Sequence, residues 1–423
     1  MRDALADERD RALATDIATG TLRWQAALDH LIVHGARRPL SRLDAEVVDI
    51  LRLSLYQLLH LTRVPASAVV DDGVQLTKKA GKKSAAGFVN AVLRGVSRTR
   101  HALPLPPRPD DPNNREAALD YLAITLSHPR WLAGRWLDRV GFARAESWAI
   151  FNNRPAPLTL RVNPLRATRA DILGRLDADE IDARPARYAP DGIVVERGAL
   201  PDGIERGMYT VQDEGSQLVA LLAGRSPGPR VLDTCASPGG KATAIAASMA
   251  PGSMLVACDV RARRMALLRA TVEASGCDNI RLVQADASAP APFRELFSTV
   301  IVDAPCSGLG TLRRDPDIRW RREEASLAAF GAAQLRMLRH AAAVVRPGGR
   351  LIYATCSSEP EENEAVVAAF LATSPGFAPV RADAANPSIQ SELVDADGHL
   401  RTEPDRHGLE LFFGAVFERA GHL

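Results

Sequence analysis

The sequence predicts an α/β chain whose C-terminal part is a doubly wound parallel sheet, behind a small α+β module and an all-α domain. Three observations support this fold class. From Arg230 onward, short apolar strands alternate with helical segments, a rhythm typical of parallel sheets. Residues 117–225 mix strand and helix patterns, and the first hundred residues repeat apolar positions at helical spacing. The chain of 423 residues is also too long for one compact domain.

The first hundred residues are predicted to be helical. Apolar residues recur at helical spacing over 45–59, behind the candidate cap Asp44, and further helices are expected after Pro65 and around 88–93. This region carries 16 Lys and Arg against 11 Asp and Glu, a net of +5, whereas the whole chain is +2. A mildly basic face fits contact with phosphate, but a solvated helical surface explains the same excess. The basic turn at 78–83 has the same two interpretations.

Domain boundaries follow from a proline-rich segment. Five prolines between 104 and 112 predict a stiff, extended linker over 101–116. The linker separates a helical domain at 1–100 from an α+β module at 117–225. A C-terminal domain at 226–423 then holds the parallel sheet. Its strands are predicted at 231–233, 254–258, 280–283, 299–302 and 351–355, with a closing strand at 409–417.

Composition narrows the cellular context. No apolar run approaches the ~20 residues of a membrane span. The five cysteines are an odd number without CxxC spacing, which argues against a disulfide framework and against a zinc site. We therefore expect a cytoplasmic protein in a reducing compartment, with free thiols and with neither a metal nor a membrane partner.

A glycine-rich loop follows the first strand of the sheet and opens the next helix, so that backbone N–H groups face a ligand. A P-loop would need a glycine at Cys235 and a hydroxyl at Ala242, and a dinucleotide fingerprint would need three spaced glycines. Neither motif is present. S-adenosylmethionine has no pyrophosphate to cradle, and a looser turn suffices for it. The loop consists of Cys235, Ala236, Ser237, Pro238, Gly239, Gly240 and Lys241.

Three carboxylates at strand ends favour the same cofactor. Asp259 ends the second strand, where an acidic residue can pair with ribose hydroxyls. Asp286 follows the third strand, in a position to accept from an adenine amino group, and Asp303 ends the fourth. Carboxylates are common at strand ends and as helix caps, so a single one would be weak evidence for a cofactor site. Together with the loop, the three predict an S-adenosylmethionine site.

Two cysteines, Cys306 and Cys356, also follow strands and are the candidate nucleophiles. If the strands that precede the two cysteines are neighbours in the sheet, ~4.8 Å apart, both thiols can reach the same substrate ring. Ser358 and Glu361 fit a capping box, whose helix dipole would lower the pKa of Cys356, although the nearby glutamates oppose this. Cys306 lies after the rigid Pro305 and beside Asp303. Two buried structural cysteines are the alternative.

Three segments resemble the RNA cytosine-C5 methyltransferases, and the RsmB (Sun/Fmu) type in particular. They are the loop 235–241, the segment 303–320 with its Asp-Ala-Pro-Cys-Ser start, and the segment 355–363. Enzymes of that type carry an N-terminal NusB-like domain, and residues 11–98 are similar to it. The resemblance covers nearly the whole chain. It implies a class I methyltransferase with a Rossmann-like sheet.

The resemblance also implies a reaction. S-adenosylmethionine would be bound by the loop with Asp259, Asp286 and Asp303, and its methyl group would pass to C5 of a cytosine in 16S ribosomal RNA. Cys356 would attack C6 of the base and Cys306 would assist release. The RNA would be met before or during small-subunit assembly, by a monomer.

Several roles have alternatives. Asp303 would hold the N3/N4 edge of cytosine, and Lys241 would orient the base or Asp303, unless it serves as a salt bridge or cap. Trp320 would stack on a base or simply pack. Phosphate contacts are expected from Arg313, Arg314, Arg319, Arg321 and Arg322. Rival functions are a tRNA, other RNA or DNA cytosine methyltransferase, and an inactive RNA-binding factor. The two intact cysteines argue against inactivity.

Overall fold

The computed structural model describes residues 7–198, 200, 203, 207–294 and 296–421. The chain folds into two compact units. The first unit comprises Met1–Pro155 and Leu312–Glu324, and the second comprises Ala156–Thr311 and Ala325–Leu423. The chain thus leaves the second unit for thirteen residues and then returns to it. In the described part of the chain, no helix has both the length and the apolar character that crossing a bilayer requires.

The first unit is helical, as predicted. Its core is formed by buried aliphatic side chains such as Leu28, Leu51, Leu55, Val89 and Leu93. The three helices expected at 45–59, after Pro65 and around 88–93 are present, and Asp44 pairs with Lys82 at 3.1 Å. The helices are α1 (Glu8–Arg23), α2 (Gln25–Ala36), α3 (Ala45–His60), α4 (Ala66–Lys79), α5 (Ala86–Arg98), α6 (Arg115–Asp120) and α7 (Arg130–Asn152).

The proline-rich segment has neither helix nor strand over 103–109, and it packs against this helical core. Leu103 and Leu105 contact the core, the His30 ring bonds the Pro104 carbonyl at 2.9 Å, and Thr125 Oγ1 donates to the Pro106 carbonyl at 2.6 Å. The first compact unit therefore continues past this segment to Pro155. The division of the chain at 101–116 stays a prediction.

The second unit contains a small antiparallel sheet with strand order β2-β3-β1-β4. Its inner face is apolar, with Leu160, Val162, Ile193 and Val195 buried against Ile172. Residues 158–221 contain both strands and helices, as the mixed sequence pattern predicts. They are β1 (Leu158–Val162), α8 (Arg169–Ala178), β2 (Asp182–Pro185), β3 (Gly192–Arg197), β4 (Tyr209–Val211) and α9 (Glu214–Leu221).

The same unit holds the large sheet, with strand order β10-β12-β9-β8-β5-β6-β7, and β11 beside β12. The five strands from β9 to β7 are parallel, whereas β12 and β10 are antiparallel. The predicted doubly wound α/β class is confirmed. The strands are β5 (Arg230–Asp233), β6 (Met254–Asp259), β7 (Ile280–Gln284), β8 (Phe297–Asp303), β9 (Val345–Thr355), β10 (Phe377–Val380), β11 (Leu400–Arg401) and β12 (Phe413–Arg419).

Helices connect and cover the strands of the large sheet. Two apolar clusters line its faces, one around Leu268, Ile301 and Ile352 and one around Val302 and Phe370. The closing strand was expected from 409, but it begins at Phe413 because Leu411 N–H donates to Gly310 O at 3.0 Å instead. The helices are α10 (Gly240–Ala247), α11 (Ala262–Ser275), α13 (Leu327–Ala343), α14 (Glu364–Thr373), α15 (Ala382–Ala385) and α16 (Pro404–His407); α12 (Ile318–Arg321) belongs to the first unit.

Candidate active site

The carboxyl ends of β8 and β9 bring the two predicted cysteines together. The strands are parallel neighbours, with Asp303 in register with Ala354, so that the turns that follow them lie side by side. Cys306 Sγ and Cys356 Sγ are 3.2 Å apart, and both residues are half-buried. The expectation that the two strands are neighbours is confirmed, and one small ring can contact both thiols.

A glycine closes the turn that carries Cys306. Gly310 N–H donates to the Cys356 carbonyl at 2.9 Å, which joins the two cysteine turns through the backbone. A Cβ at residue 310 would lie 2.2 Å from the Leu411 carbonyl oxygen and 2.7 Å from the Cys356 carbonyl oxygen. Both obstacles are backbone atoms, so any side chain at this position would separate the turns.

Lys241 and Asp303 form an ion pair beside the thiols. Lys241 Nζ lies 2.7 Å from Asp303 Oδ2, and the two side chains are 14% and 28% exposed. Burial disfavours the charge on Lys241, but the Asp303 carboxylate outweighs it and raises the pKa of the lysine above its usual value. Lys241 thus holds Asp303, and the exposed fraction of Asp303 faces out of the protein, where a base can reach it.

The thiols differ in their electrostatic surroundings. The hydrogen bond with Cys356, burial, and the charge of Glu362 together raise the pKa of Cys306 well above its usual value. Cys306 is therefore a neutral thiol near pH 7. Burial also raises the pKa of Cys235 and of Cys258 to about 12, which marks them as unreactive.

The predicted cofactor loop connects β5 to α10. Gly239 has φ +112°, and a Cβ there would press on Leu268 and Thr271 at 3.0 Å, so the turn requires glycine. Ser237 Oγ donates to the Arg264 carbonyl at 3.0 Å, which ties the loop to α11. The loop is thus held in one conformation with the N-terminus of α10 directly behind it.

Carboxylates surround this loop. Asp233, the last residue of β5, is fully buried, and its Oδ2 has no hydrogen-bond partner among the described residues. Burial and the charge of Asp303 raise the pKa of Asp233 to about 7. Asp259 ends β6 as predicted and lies 3.5 Å from Arg264 Nε. Asp286 lies two residues beyond β7, where its bonds from Ser288 N–H and Oγ lower its pKa.

These residues fit S-adenosylmethionine. The unpartnered Oδ2 of Asp233 offers a buried acceptor, and Asp259 offers a carboxylate at the end of the next strand, the place where ribose hydroxyls bind in such folds.

One carboxylate that sequence reasoning did not single out lies under both thiols. Glu362 is fully buried and accepts from Ser307 N–H at 2.8 Å and from Ser357 Oγ at 2.5 Å. These are the residues that directly follow Cys306 and Cys356. Glu362 is one of three glutamates between 359 and 362, and no periodicity in the sequence distinguishes it from the other two. Asp233 was detectable, because it is a strand-end carboxylate like Asp259.

The capping-box prediction after Cys356 is wrong. Ser358 Oγ donates to Glu359 Oε1 at 2.8 Å, and only a short 3-10 turn, Pro360–Glu362, follows. The α-helix α14 begins at Glu364. The α-helix that was expected to begin just beyond Cys356 is absent there, and the assignment of the nucleophile loses that support.

The arginine-rich segment belongs to the first unit, and one of its predicted phosphate contacts is wrong. Arg319 is fully buried and donates to the carbonyls of Ser127 at 3.0 Å and Asn152 at 3.2 Å, so it has no access to a phosphate. Trp320 packs: its Nε1–H donates to the Leu22 carbonyl at 2.6 Å. Arg313, Arg314, Arg321 and Arg322 remain predicted RNA contacts.

Comparison with known families agrees with this geometry. The model of the 16S rRNA methyltransferase RsmB/F matches residues 220–418, the NusB family model matches residues 1–98, and a ferredoxin-like domain of RsmF/B-like methyltransferases matches residues 128–200. A crystal structure of the protein PH0851 superposes with a TM-score of 0.81 at 25% identity, over 99% of this chain and 92% of that one.

Curated relatives match over nearly the full length. A probable ribosomal RNA small subunit methyltransferase B of Bacillus subtilis is 32% identical over 98% of this chain and 92% of its own. The ribosomal RNA small subunit methyltransferase B of Pseudomonas putida is 37% identical over 88% of this chain and 83% of its own. The resemblance stated from the sequence is thereby confirmed. The chain belongs to the 16S rRNA methyltransferase RsmB/F family.

Proposed function

We propose that this methyltransferase transfers a methyl group from S-adenosylmethionine to C5 of a cytosine in 16S ribosomal RNA, through a covalent bond between Cys356 Sγ and C6. The main support is the 3.2 Å contact between the thiols of Cys306 and Cys356, beside the ion pair of Lys241 and Asp303. A protein that only bound RNA would need neither thiol. The names of the curated relatives support the ribosomal substrate.

A thiolate is suited to the first step, because C5 of cytosine is a poor nucleophile until C6 is attacked. The Cys356 Sγ lone pair forms the bond to C6, and the π electrons of C5=C6 become available at C5. A proton on N3 balances the charge that the addition places on the ring. Asp303, held by Lys241, accepts a hydrogen bond from that N3/N4 edge and so favours the protonated ring.

S-adenosylmethionine, when bound, would supply a methyl group on a sulfonium sulfur for transfer to C5. The loop 235–241 would hold this cofactor together with Asp233, Asp259 and Asp286. The same loop ends in Lys241, whose Nζ bonds Asp303, so the residues that hold the cofactor and those that hold the base are joined.

Release requires a base, and Cys306 fills this role. Cys306 first loses its thiol proton to solvent, and its thiolate then takes the C5 proton. The electron pair of the C5–H bond re-forms C5=C6, Cys356 leaves C6 as a thiolate, and N3 returns to solvent the proton that it gained on addition. The largest cause of the raised pKa of Cys306 is its hydrogen bond with Cys356. When Cys356 is bonded to C6 that cause is removed, while burial and the charge of Glu362 remain.

The target cytosine must leave its stack to reach both thiols. Asp303 and Lys241 expose only 28% and 14% of their side chains, and the thiols are half-buried. A base within a duplex cannot approach such groups without flipping out. Loops and single strands of RNA, whose bases are already unstacked, are therefore the natural targets.

The roles of the thiols are tested with two variants. Cys356→Ala should abolish both methyl transfer and the covalent protein–RNA adduct, whereas Cys306→Ala should accumulate the adduct on denaturing gels. Cys277→Ala, which removes a buried thiol of the apolar core, is the control and should leave both unchanged. An adduct that persists in Cys356→Ala and is missing in Cys306→Ala would reverse the assignment.

The substrate is tested with RNA that lacks modifications. Naked 16S rRNA, assembled small subunits, a tRNA mixture and single-stranded DNA are each incubated with labelled S-adenosylmethionine, and 5-methylcytosine is mapped. The proposal expects label in naked or partly assembled 16S rRNA at one cytosine. Label confined to tRNA or DNA would contradict the substrate, and no label in any arm with intact thiols would favour a binding factor.

A further inference from the structure

Glu362 lies at the centre of a buried polar cluster beneath the two thiols. Its Oε1 accepts from Ser307 N–H at 2.8 Å and from Gln334 Nε2 at 2.9 Å. Its Oε2 accepts from Ser357 Oγ at 2.5 Å and also from Ser307 Oγ. Four donors for two oxygens suit the ionised carboxylate, which can only accept.

The cluster is anchored on three elements. Gln334, on α13, bonds Pro305 O at 3.1 Å as well as Glu362, and so it fixes the turn after β8 from a second direction. The hydroxyl oxygen of Tyr353, near the end of β9, lies 2.5 Å from the Glu362 carbonyl oxygen and 3.0 Å from Gln334 Oε1, so its one proton is shared between these two acceptors. Glu362 is therefore fixed at its side chain and its backbone.

The two serines are the link to the thiols. Ser307 directly follows Cys306 and Ser357 directly follows Cys356, and their hydroxyl oxygens lie 3.1 Å apart. Because both are bonded to one carboxylate, neither cysteine turn can move away without breaking a bond to Glu362. The 3.2 Å contact between the thiols lies directly beyond this clamp.

We propose that Glu362 is a positioning residue that holds the thiols of Cys306 and Cys356 in contact by binding the serine that follows each. The catalytic meaning of this clamp rests on the proposed function, but the clamp itself can be measured without a substrate.

The charge of Glu362 adds a second effect. All four of its donors are neutral, so the charge acts on the groups around it. It contributes, after the hydrogen bond with Cys356 and after burial, to the raised pKa of Cys306. It also contributes to the raised pKa of Tyr353, after burial and Cys306. One buried carboxylate thus keeps the thiols together and is one of several causes of the raised pKa of Cys306.

The clamp is tested by the equilibrium between the thiols and glutathione disulfide, in which two protein thiols and one glutathione disulfide give the Cys306–Cys356 disulfide and two glutathione thiols. Mass spectrometry of peptides measures the fraction of the protein that carries the Cys306–Cys356 disulfide. The equilibrium constant of this exchange gives the effective concentration of one thiol at the other. Glu362→Ala should lower this effective concentration by at least about tenfold, because the two turns separate. Glu362→Gln, whose amide can donate to the serine hydroxyls, should stay within about threefold.

Control variants distinguish the separation of the two thiols from a general loss of folding. Glu364→Gln changes a nearby carboxylate that bonds Arg401 instead, and it should match the native chain. If Glu362→Ala does not fold, Ser307→Ala and Ser357→Ala each remove one arm of the clamp and should each lower the effective concentration by at least about threefold. Folded variants that keep the native value would overturn the clamp.

The charge is tested by the pH dependence of alkylation. The rate at which iodoacetamide labels Cys306 should rise at lower pH in Glu362→Gln than in the native chain, because the neutral amide no longer disfavours the thiolate. An unchanged profile would overturn the electrostatic part. These readouts need no RNA. A chain that passes them but methylates nothing contradicts the proposed function alone, whereas a methylating chain with an unaffected thiol contact contradicts the clamp alone.

Discussion

Two fully buried charges organise the two units in different ways. Arg319 in the first unit and Glu362 in the second are both wholly inaccessible. Arg319 donates to four backbone carbonyls and one amide oxygen, those of Arg23, Ser127, Asn152, Leu312 and Asn153. Glu362 accepts from a backbone N–H, two hydroxyls and an amide. Each is bonded by neutral groups.

The difference lies in what surrounds each charge. Burial lowers the pKa of Arg319 to about 9, and its neighbours are the carbonyls of helix ends, which have no protons to exchange. Glu362 lies beside two thiols and raises the pKa of one of them. Arg319 Nε has no partner among the described residues, whereas both oxygens of Glu362 accept hydrogen bonds. A buried, hydrogen-bonded charge fixes local structure in both units, but only in the second does it also adjust the acidity of a reacting group.

The largest effect is expected at Arg319. Arg319→Met should destabilise the first unit by at least about 4 kcal/mol, because five buried acceptors lose their donor and the side chain fills only part of the space. All five tryptophans, Trp24, Trp131, Trp136, Trp148 and Trp320, belong to this unit. Urea unfolding followed by tryptophan fluorescence therefore measures it.

The control for Arg319 is two residues away. Arg321, with its side chain 74% exposed and paired with Asp317, should tolerate Arg321→Met within about 0.5 kcal/mol. Equal destabilisation by the two variants would show that the segment is sensitive to any substitution, and the assignment of a structural hub to Arg319 would then be wrong.

Glu362→Ala is expected to have the second largest effect, about 3 kcal/mol, confined to the turns after β8 and β9. Ser307 N–H and Gln334 Nε2 lose their acceptor, while the two serine hydroxyls can still bond each other. Hydrogen exchange of peptides over 297–311 and 345–359 should accelerate by about a hundredfold. Unchanged protection there would contradict the view that the carboxylate fixes both turns.

His128 gives the first unit a pH dependence. It is buried, and burial together with the charge of Arg319 lowers its pKa well below 6.5. The unfolded chain therefore binds a proton that the folded chain does not, so stability is lost as pH falls below about 6.5, by about 1.4 kcal/mol per pH unit. His128→Asn keeps a donor for the Leu126 carbonyl. In this variant, the free energy of unfolding measured by fluorescence should lose about 1.4 kcal/mol per pH unit of its slope between pH 6.5 and 5. Equal slopes would contradict a neutral His128.

The sequence was sufficient for the parts of this comparison that depend on pattern. The strands that end at Asp303 and Thr355 were visible as apolar runs, whereas their being neighbours was a condition that only the structure meets. Glycine-rich spacing located the loop at 235–241. These features are local, and each is written in consecutive residues.

The rest depends on contacts between residues far apart in sequence. Arg319 bonds Ser127, 192 residues away, and nothing in the run of arginines distinguishes a buried one from those that face solvent. Glu362 bonds Ser307, 55 residues away, and it follows another glutamate. The capping box failed for a local reason, because Ser358 Oγ donates to its neighbour Glu359 and only a short 3-10 turn follows.

Glu362→Gln should have the smallest effect on stability, within about 1 kcal/mol, because the amide oxygen can replace Oε1 and the amide nitrogen can donate to hydroxyls that also accept. Arg319 has no such neutral counterpart, since no uncharged side chain supplies five donors in one plane. Exchange protection of 297–311 and 345–359 should then stay native while the alkylation profile of Cys306 shifts. A large loss of protection would mean that the charge itself stabilises the turns, and the two buried charges would then be alike in their structural role. A small loss of protection would distinguish the two residues. The charge of Arg319 would then stabilise the fold, whereas the hydrogen-bonding shape of Glu362 stabilises the turns and its charge acts on the Cys306 thiol.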